Sequence, residues 1–513
     1  MIKKLFGNRI AVLLWTVCLT VLIGLGINYL ALVPINISSS GFWWFTLALI
    51  VIGVVIAFIF TAIYRYVSDQ PDWYDFKEWC KAYMIPTILI YVGIILILAF
   101  FITSISGWKM GHSDQYASIV KIEEGNFAED VPNASDNQAN IVYVDQKTAQ
   151  KLGDRTLGEI ENSSWYEVDS EYNLVCIDGK YYRISPVNYS GFWASRKVRN
   201  NGGIPGYVSV DVQTQEATFV YYEENAKMIY SPSGNFKFDL HRHIHQAYKT
   251  KMLGKSFFEV DDNNHPYWIT EVKDATIGLR GGLIVKSFII TDAASGEMKE
   301  YTVKTLPEWV DHAYSVDSLM EMIGWHYRYQ NGFFNMSKTQ LYKTTYSYRD
   351  TKGAEEENTF TPFDGYNSAI SKNGEIIFYT GITPDNKAQT NKGFVSANPR
   401  TGEVRFYDVT GAEESSAQTA AEGLTQDLKY SASFPILINV DGVQTYFMVL
   451  KDAGGLVQRY ALCNIKNYAK RVEAENINDA IIKYKKKIGL IAADDSMEDT
   501  NSSDKTNDDE ENV

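Results

Sequence analysis

The chain opens on three runs in which apolar residues follow one another with no charge between them. Residues 10–35, 42–64 and 84–105 read IAVLLWTVCLTVLIGLGINYLALVPI, FWWFTLALIVIGVVIAFIFTAIY and MIPTILIYVGIILILAFFITSI. Each is longer than the roughly 20 residues a helix needs to cross about 30 Å of hydrocarbon. A helix in a soluble core normally carries a polar stripe, and these carry none. The pattern predicts three transmembrane helices in an anchor of residues 1–107. A cleaved leader is a poor fit to the first run, because a leader's apolar core is about 7–15 residues and ends at a small-residue site.

Charge around the runs predicts their direction. Lys3, Lys4 and Arg9 precede the first, and Arg65, Lys77 and Lys81 lie in the loop before the third. Basic residues favour the cytoplasm. The N-terminus and the 65–83 loop are therefore expected inside, and everything after about Gly107 outside a bacterial cytoplasmic membrane. The spans carry no charged residue, which argues against an ion pathway through them.

Residues 108–140 are polar and read as a tether. After them come short apolar runs rich in Tyr, Phe, Val and Ile, separated by Gly, Asn and Asp, as strands and hairpins require. Helical spacing intervenes: Ala149, Leu152, Gly153, Thr156 and Ile160 after an Asp145 cap; Val316, Leu319, Met320, Ile323 and Tyr327; Ala417, Ala420, Ala421, Leu424 and Leu428; Ile477, Ala480, Ile481, Tyr484 and Ile488. The class is α+β.

Three turns share a pattern: DVQTQE from Asp211 to Glu216, DAASGE from Asp292 through Gly296 to Glu297, and NPRTGE from Asn398 through Gly402 to Glu403. An Asp or Asn side chain closes such a turn, and Gly supplies a positive φ. Strand-like runs flank each one. The recurrence predicts repeat units at 141–224, 238–304 and 312–410. A fourth unit with a C-terminal helix, 411–490, carries Lys451-Asp-Ala-Gly-Gly455 in place of that turn. The arrangement is expected to be elongated. Residues 491–513 are acidic without aromatics and cannot bury enough apolar surface to fold.

A helix beside strands joined by an Asp-x-x-Thr-Gly-Glu hairpin resembles the PepSY-type repeat of bacterial envelope proteins. The region 140–470 is similar to membrane-anchored ectodomain proteins of Gram-positive bacteria and their mobile elements, through segments such as GYVSV (206–210), PEWVD (307–311) and KDAGGLV (451–457). The resemblance implies a binding or inhibitory module, and supplies no active site.

Candidate chemistry is sparse. The tract His241, His243 and His245 could hold zinc or copper if it were a strand. A helix beginning at Asp239 would leave only His241 and His245 on one face, as ordinary surface histidines, and no metal is expected. Cys176 and Cys463 lie in apolar strand-like runs, suited to buried inert thiols or to one disulfide. Glu413, Glu414 and the run 355–357 read as solvated charge. No Gly-x-Ser-x-Gly, P-loop or His-Glu-x-x-His motif occurs. With 48 Lys+Arg against 62 Asp+Glu, the chain is too acidic for a nucleic-acid binder. The sequence therefore predicts a noncatalytic binding or scaffolding protein without cofactor. Its expected partners are the lipid bilayer and another envelope protein or wall polymer. The alternatives are an envelope hydrolase or metal-dependent enzyme, and a subunit of a membrane complex or mobile-element transfer apparatus.

Overall fold

The computed structural model describes residues 9–67, 83–136, 141–335, 342–344, 367–384, 390–412 and 414–492. Three helices, α1 (Arg9–Ala31), α2 (Ser40–Val67) and α3 (Met84–Ile105), are long and apolar enough to cross a membrane. They meet at small residues. Gly24 of α1 faces Leu49, Gly53 of α2 faces Thr20, and Gly93 of α3 faces Ile50. Such positions let helices approach closely where no water drives them together. Lys3, Lys4, Lys77 and Lys81, like the acidic tail, lie outside the described residues.

Among the described residues, the rest of the chain holds four main, largely antiparallel sheets on one plan. In the first, α6 (Gln146–Thr156) precedes β2 (Tyr166–Val168), β3 (Asn173–Ile177), β4 (Lys180–Tyr189), β5 (Gly206–Asp211) and β6 (Ala217–Tyr221), with α7 (Phe192–Asn200) between β4 and β5. The numbering leaves α4 (Ser113–Ala117), β1 (Ile122–Glu124) and α5 (Phe127–Asp130) to the segment before it. In the second, α8 (Leu240–Ala247) precedes β7 (Met252–Val260), β8 (Pro266–Ile277), β9 (Gly281–Asp292) and β10 (Met298–Tyr301). In the third, α9 (Val316–Tyr329) precedes β11 (Tyr342–Thr344), β12 (Asn367–Ile370), β13 (Ile376–Pro384), β14 (Thr390–Asn391), β15 (Gly393–Ala397) and β16 (Val404–Tyr407); β14 pairs with β17 (Gly411–Ala412) instead. In the fourth, α10 (Glu414–Glu422) precedes β18 (Ser431–Ala432), β19 (Ile436–Val440), β20 (Val443–Lys451), β21 (Val457–Asn464) and β22 (Arg471–Ala474), and α11 (Ile477–Ile488) follows.

The likeness extends to an irregularity. In three sheets the long second strand shares one edge between two short segments: β4 with β2 and β3, β13 with β11 and β12, β20 with β18 and β19. In the second sheet the equivalent strand is continuous, but its register shifts between Leu253 and Ser256. Broken or bulged, each first strand bends along its partner.

Each final hairpin turns through an Asx side chain. Asp211 Oδ1 accepts from the backbone N–H of Gln213 and Thr214 at 2.8 and 2.9 Å. Asp292 does the same for Ala294 and Ser295, and Asn398 for Arg400 and Thr401. Gly296 and Gly402 take φ of +80° and +75°, and Gln215 stands at +64° in the first turn. The fourth sheet departs from the expected place. Lys451–Gly455 joins β20 to β21, and so corresponds to the middle connection of the other sheets. The final turn is Asn464 to Lys470, where Asn464 Oδ1 accepts from Lys466 and Asn467. One residue longer, it has neither the glycine nor the glutamate.

The sheets do not form an elongated string. The first and second share a core containing Ile184, Tyr207, Phe258, Trp268 and Ile289. Phe288, Leu319, Ile323 and Val395 join the second, α9 and the third. Phe394, Tyr407, Tyr446 and Leu450 join the third and fourth. Leu174 and Val212 then pack with Phe447 and Tyr484, which returns the fourth to the first. The four close into a ring. A unit of this size buries too little surface to be stable alone, and sharing each face with a neighbour removes that shortfall.

The 108–140 segment is not a free tether either. Within its described part, β1 adds a parallel edge strand to β16, Asp130 meets Arg405 at 3.1 Å, and Ala134 N–H donates to Asn439 O. Of its polar residues, Asp130 accepts from Arg405 and Tyr407 of the third sheet, and Asn133 exchanges hydrogen bonds with Asp441 of the fourth.

The second sheet seats the ring on the membrane helices. At the β8–β9 tip, Arg280 donates to Ser104 Oγ at 2.6 Å and to Ser40 Oγ at 2.9 Å, and its guanidinium lies 4.5 Å from the centre of the Phe100 ring. Leu279 N–H donates to Ser106 Oγ, and Ile35 N–H to Lys249 O. The 36–41 turn and the end of α3 thus face the domain. Arg9 and Arg65 lie at the far ends of their helices.

Candidate functional site

A cavity of about 130 Å³ opens at the middle of the ring, and all four units contribute to its wall. Two ion pairs brace it across unit boundaries. Lys451 Nζ of β20 lies 2.6 Å from Asp145 Oδ2, the residue that also caps α6 through Thr148 N–H. Burial pushes the Asp145 carboxyl upward, but the Lys451 ammonium and the cap hydrogen bonds outweigh it and hold it below the ordinary range. Lys255 Nζ of β7 lies 2.6 Å from Glu171 Oε1. Arg183, almost fully buried on β4, donates to the carbonyls of Val144 and Tyr172.

Behind the cavity stands a cluster of buried ionisable groups. Glu259 accepts from the backbone N–H of both Asp311 and His312. His312 Nδ1 is 3.3 Å from Glu259 Oε1, and the imidazole sits between the rings of Phe257 and Phe378. Asp311 Oδ2 accepts from Cys176 N–H at 2.6 Å. Burial raises Glu259 to about 8 against those two amide donors. Burial and the neighbouring Glu259 raise Asp311 to about 7. Burial lowers His312 to about 4. Burial thus favours the protonated carboxyl at Glu259 and the neutral imidazole at His312. A second fully buried carboxylate, Glu271, accepts from Ser315 N–H, Ser318 Oγ and Lys255 N–H, and so holds the start of α9.

An imidazole backed by a carboxyl can act as general base when it faces a nucleophile. Among the described residues no hydroxyl or thiol is hydrogen-bonded to His312. The cavity is also smaller than the roughly 300–1,000 Å³ of sites for drug-sized ligands.

The residues singled out in the sequence lie elsewhere. The histidine tract is the helix α8, capped by Asp239. Its members are not ordinary surface histidines, because each meets a different partner. His243 Nε2 is 2.8 Å from Gly296 O and its ring stacks on Tyr230; His245, buried, is 3.1 Å from Asn28 Oδ1 of α1; His241 approaches Ser256 Oγ. Among the described residues no group of three or more His, Cys, Asp or Glu side chains is placed to hold a metal ion. The turn residues Asp211, Glu216, Asp292, Glu297, Asn398 and Glu403 are spread over three sheets; Asn398 and Glu403 line a small cavity of about 80 Å³ that the other four do not reach. Cys176 and Cys463 are both free thiols on different sheets, and burial raises each pKa. Glu414 is fully buried, not solvated, and its Oε2 accepts from Asn391 Nδ2; Glu413 and 355–357 lie outside the described residues. Glu259, Glu271 and Asp311 escaped sequence reading because their partners are 16 to 135 positions away. An isolated Glu within an apolar strand run, as in KSFFEV and YWITEV, was the available signal. Comparison of the chain with protein-family models, curated proteins and solved structures finds no match.

Proposed function

We propose that the chain is a membrane-anchored, noncatalytic binding or scaffolding protein whose ring of four sheets stands on the extracytoplasmic face of a bacterial membrane. The observation that carries this reading is the seating of the second unit on all three membrane helices, with cores that run unbroken around the ring. A body joined to the helices by hydrogen bonds at several points suits the presentation of a surface. The basic residues at the far helix ends support the stated orientation. The common plan of the sheets, with Asx turns at 211, 292 and 398, supports kinship with PepSY-type binding modules. The partner is another envelope protein or a wall polymer.

Cross-linking in the native membrane, followed by purification and partner identification, tests the proposal. One partner should be recovered in defined proportion, and protease added to intact spheroplasts should remove the ring. Protection of the ring would overturn the orientation, and recovery of the monomer alone would overturn the scaffold. A second reading, an envelope enzyme, draws on Glu259 and His312 at the cavity wall. It requires His312→Ala to abolish function in cells while partner capture is retained.

A further inference from the structure

Where the ring meets the membrane, a cleft of about 690 Å³ runs between α1 and α2 and ends beneath α8. Its walls are apolar: Val21 and Leu25 from one helix with Leu32 just beyond its end, Phe42, Phe45 and Leu49 from the other. From Val21 to the end of α1 at Ala31 the cleft extends about 15 Å at 1.5 Å per residue. That is half of the roughly 30 Å hydrocarbon thickness, the depth of one leaflet.

The roof is of a different kind. Arg242 and Lys249 of the second unit overhang the cleft mouth, beside His245, Gln246 and Asn28. Arg242 is fixed in place. Its Nε donates to Tyr29 O at 3.1 Å, one terminal nitrogen donates to Phe236 O, and the guanidinium lies 4.7 Å from the centre of the Tyr29 ring. Lys249 is exposed, and its backbone carbonyl is held by Ile35 N–H. Among the described residues no carboxylate lines the cleft.

We infer that this cleft binds one anionic glycerophospholipid of the adjoining leaflet, its phosphate at Arg242 and Lys249 and an acyl chain between α1 and α2. Each half of the site matches one half of that molecule. The apolar slot reaches as deep as a chain reaches, and the two cations stand at the height of the headgroup with no acid to compete. Basic residues at this level attract anionic lipid, and a guanidinium with free N–H groups suits phosphate oxygens. A transmembrane partner helix would fill the slot and leave the cationic roof unmatched. The inference depends on the membrane placement of the helices and not on the scaffold reading.

The test uses the full chain in nanodiscs containing equal phosphatidylglycerol and phosphatidylcholine, extracted gently and weighed by native mass spectrometry. One retained phosphatidylglycerol per chain is expected, at least five-fold over phosphatidylcholine. Lys249→Gln removes the charge of an exposed side chain that makes no hydrogen bond or ion pair among the described residues, and should reduce that preference several-fold with the fold intact. Leu25→Trp fills the slot under an unchanged roof and should displace the lipid. Equal retention of both lipids, or unchanged retention by both variants, would overturn the site. Displacement of phosphatidylglycerol by an equimolar polyprenyl phosphate would overturn the assignment to a glycerophospholipid.

Discussion

Glu259 on the second sheet and His312 before α9 meet twice: the carboxyl takes the His312 backbone N–H, and its other contact is the imidazole Nδ1 at 3.3 Å. The pair links the second sheet to the third unit inside a region that excludes water. Its protonation therefore bears directly on how firmly the ring is closed.

The sign follows from the direction of each shift. Glu259 and Asp311, ordinarily at 4.5 and 3.8, are raised to about 8 and about 7. Folding retains their protons, so their contribution is complete below the ordinary values and is lost as pH rises through the raised ones. His312, lowered to about 4, acts oppositely, and its contribution is complete above 6.5. Above that pH the acids act alone. The Tm of the detergent-purified chain should fall from pH 6.5 to 8, and Glu259→Gln should flatten the fall. A Tm that rises over this interval would contradict the assignment.

Glu271→Ala should be among the more damaging single changes. It leaves Ser315 N–H, Ser318 Oγ and Lys255 N–H without their common acceptor in a site with no exposure. The expected loss is roughly 3–5 kcal/mol. Denaturant midpoints in mild detergent measure it, and a loss under about 1 kcal/mol would mean that the donors find other partners.

The two glycine turns should differ. At Gly402 a Cβ would lie 3.0 Å from the Tyr314 ring; at Gly296 it would lie 2.5 Å from Tyr230 and 2.9 Å from His243 Nε2. Both positions need a left-handed backbone, so alanine costs on the order of 1 kcal/mol at either. Gly296→Ala should cost more, because two packed rings must also move. Equal shifts in midpoint would show that the rings yield freely.

Arg280→Ala should loosen the ring from the helices without unfolding it. The change removes the donors to Ser40 and Ser104 and the contact with Phe100. Faster hydrogen exchange at 278–282, with β13 and β20 unchanged, is the expected pattern. Unchanged exchange at the tip would show that other contacts carry the docking.

What could be read in the sequence was local. Apolar runs marked the three helices, Asp145 and Asp239 marked helix starts, and an Asx residue followed by Ser or Thr marked three turns. The fourth turn was misplaced because Asn464 closes it without glycine, while the conspicuous Asp-Ala-Gly-Gly belonged to another connection. The ring itself had no local signature. Leu174 and Phe447 are ordinary strand residues until distant chain segments meet, and polar composition from 108 onward does not distinguish a spacer from a strap. The central cavity was hidden for the same reason, since each unit contributes only a few side chains to it.

The pairing of β1 with β16 has a consequence for folding during synthesis. β1 is the first strand to emerge after the membrane helices, yet its partner emerges about 280 positions later. At roughly 5–20 residues per second, that is an interval on the order of tens of seconds. During this interval the early strand has no native partner, and the ring remains unclosed. A chain arrested before Val404 would thus show protease an open edge, and completion of the third unit is the step that conceals it.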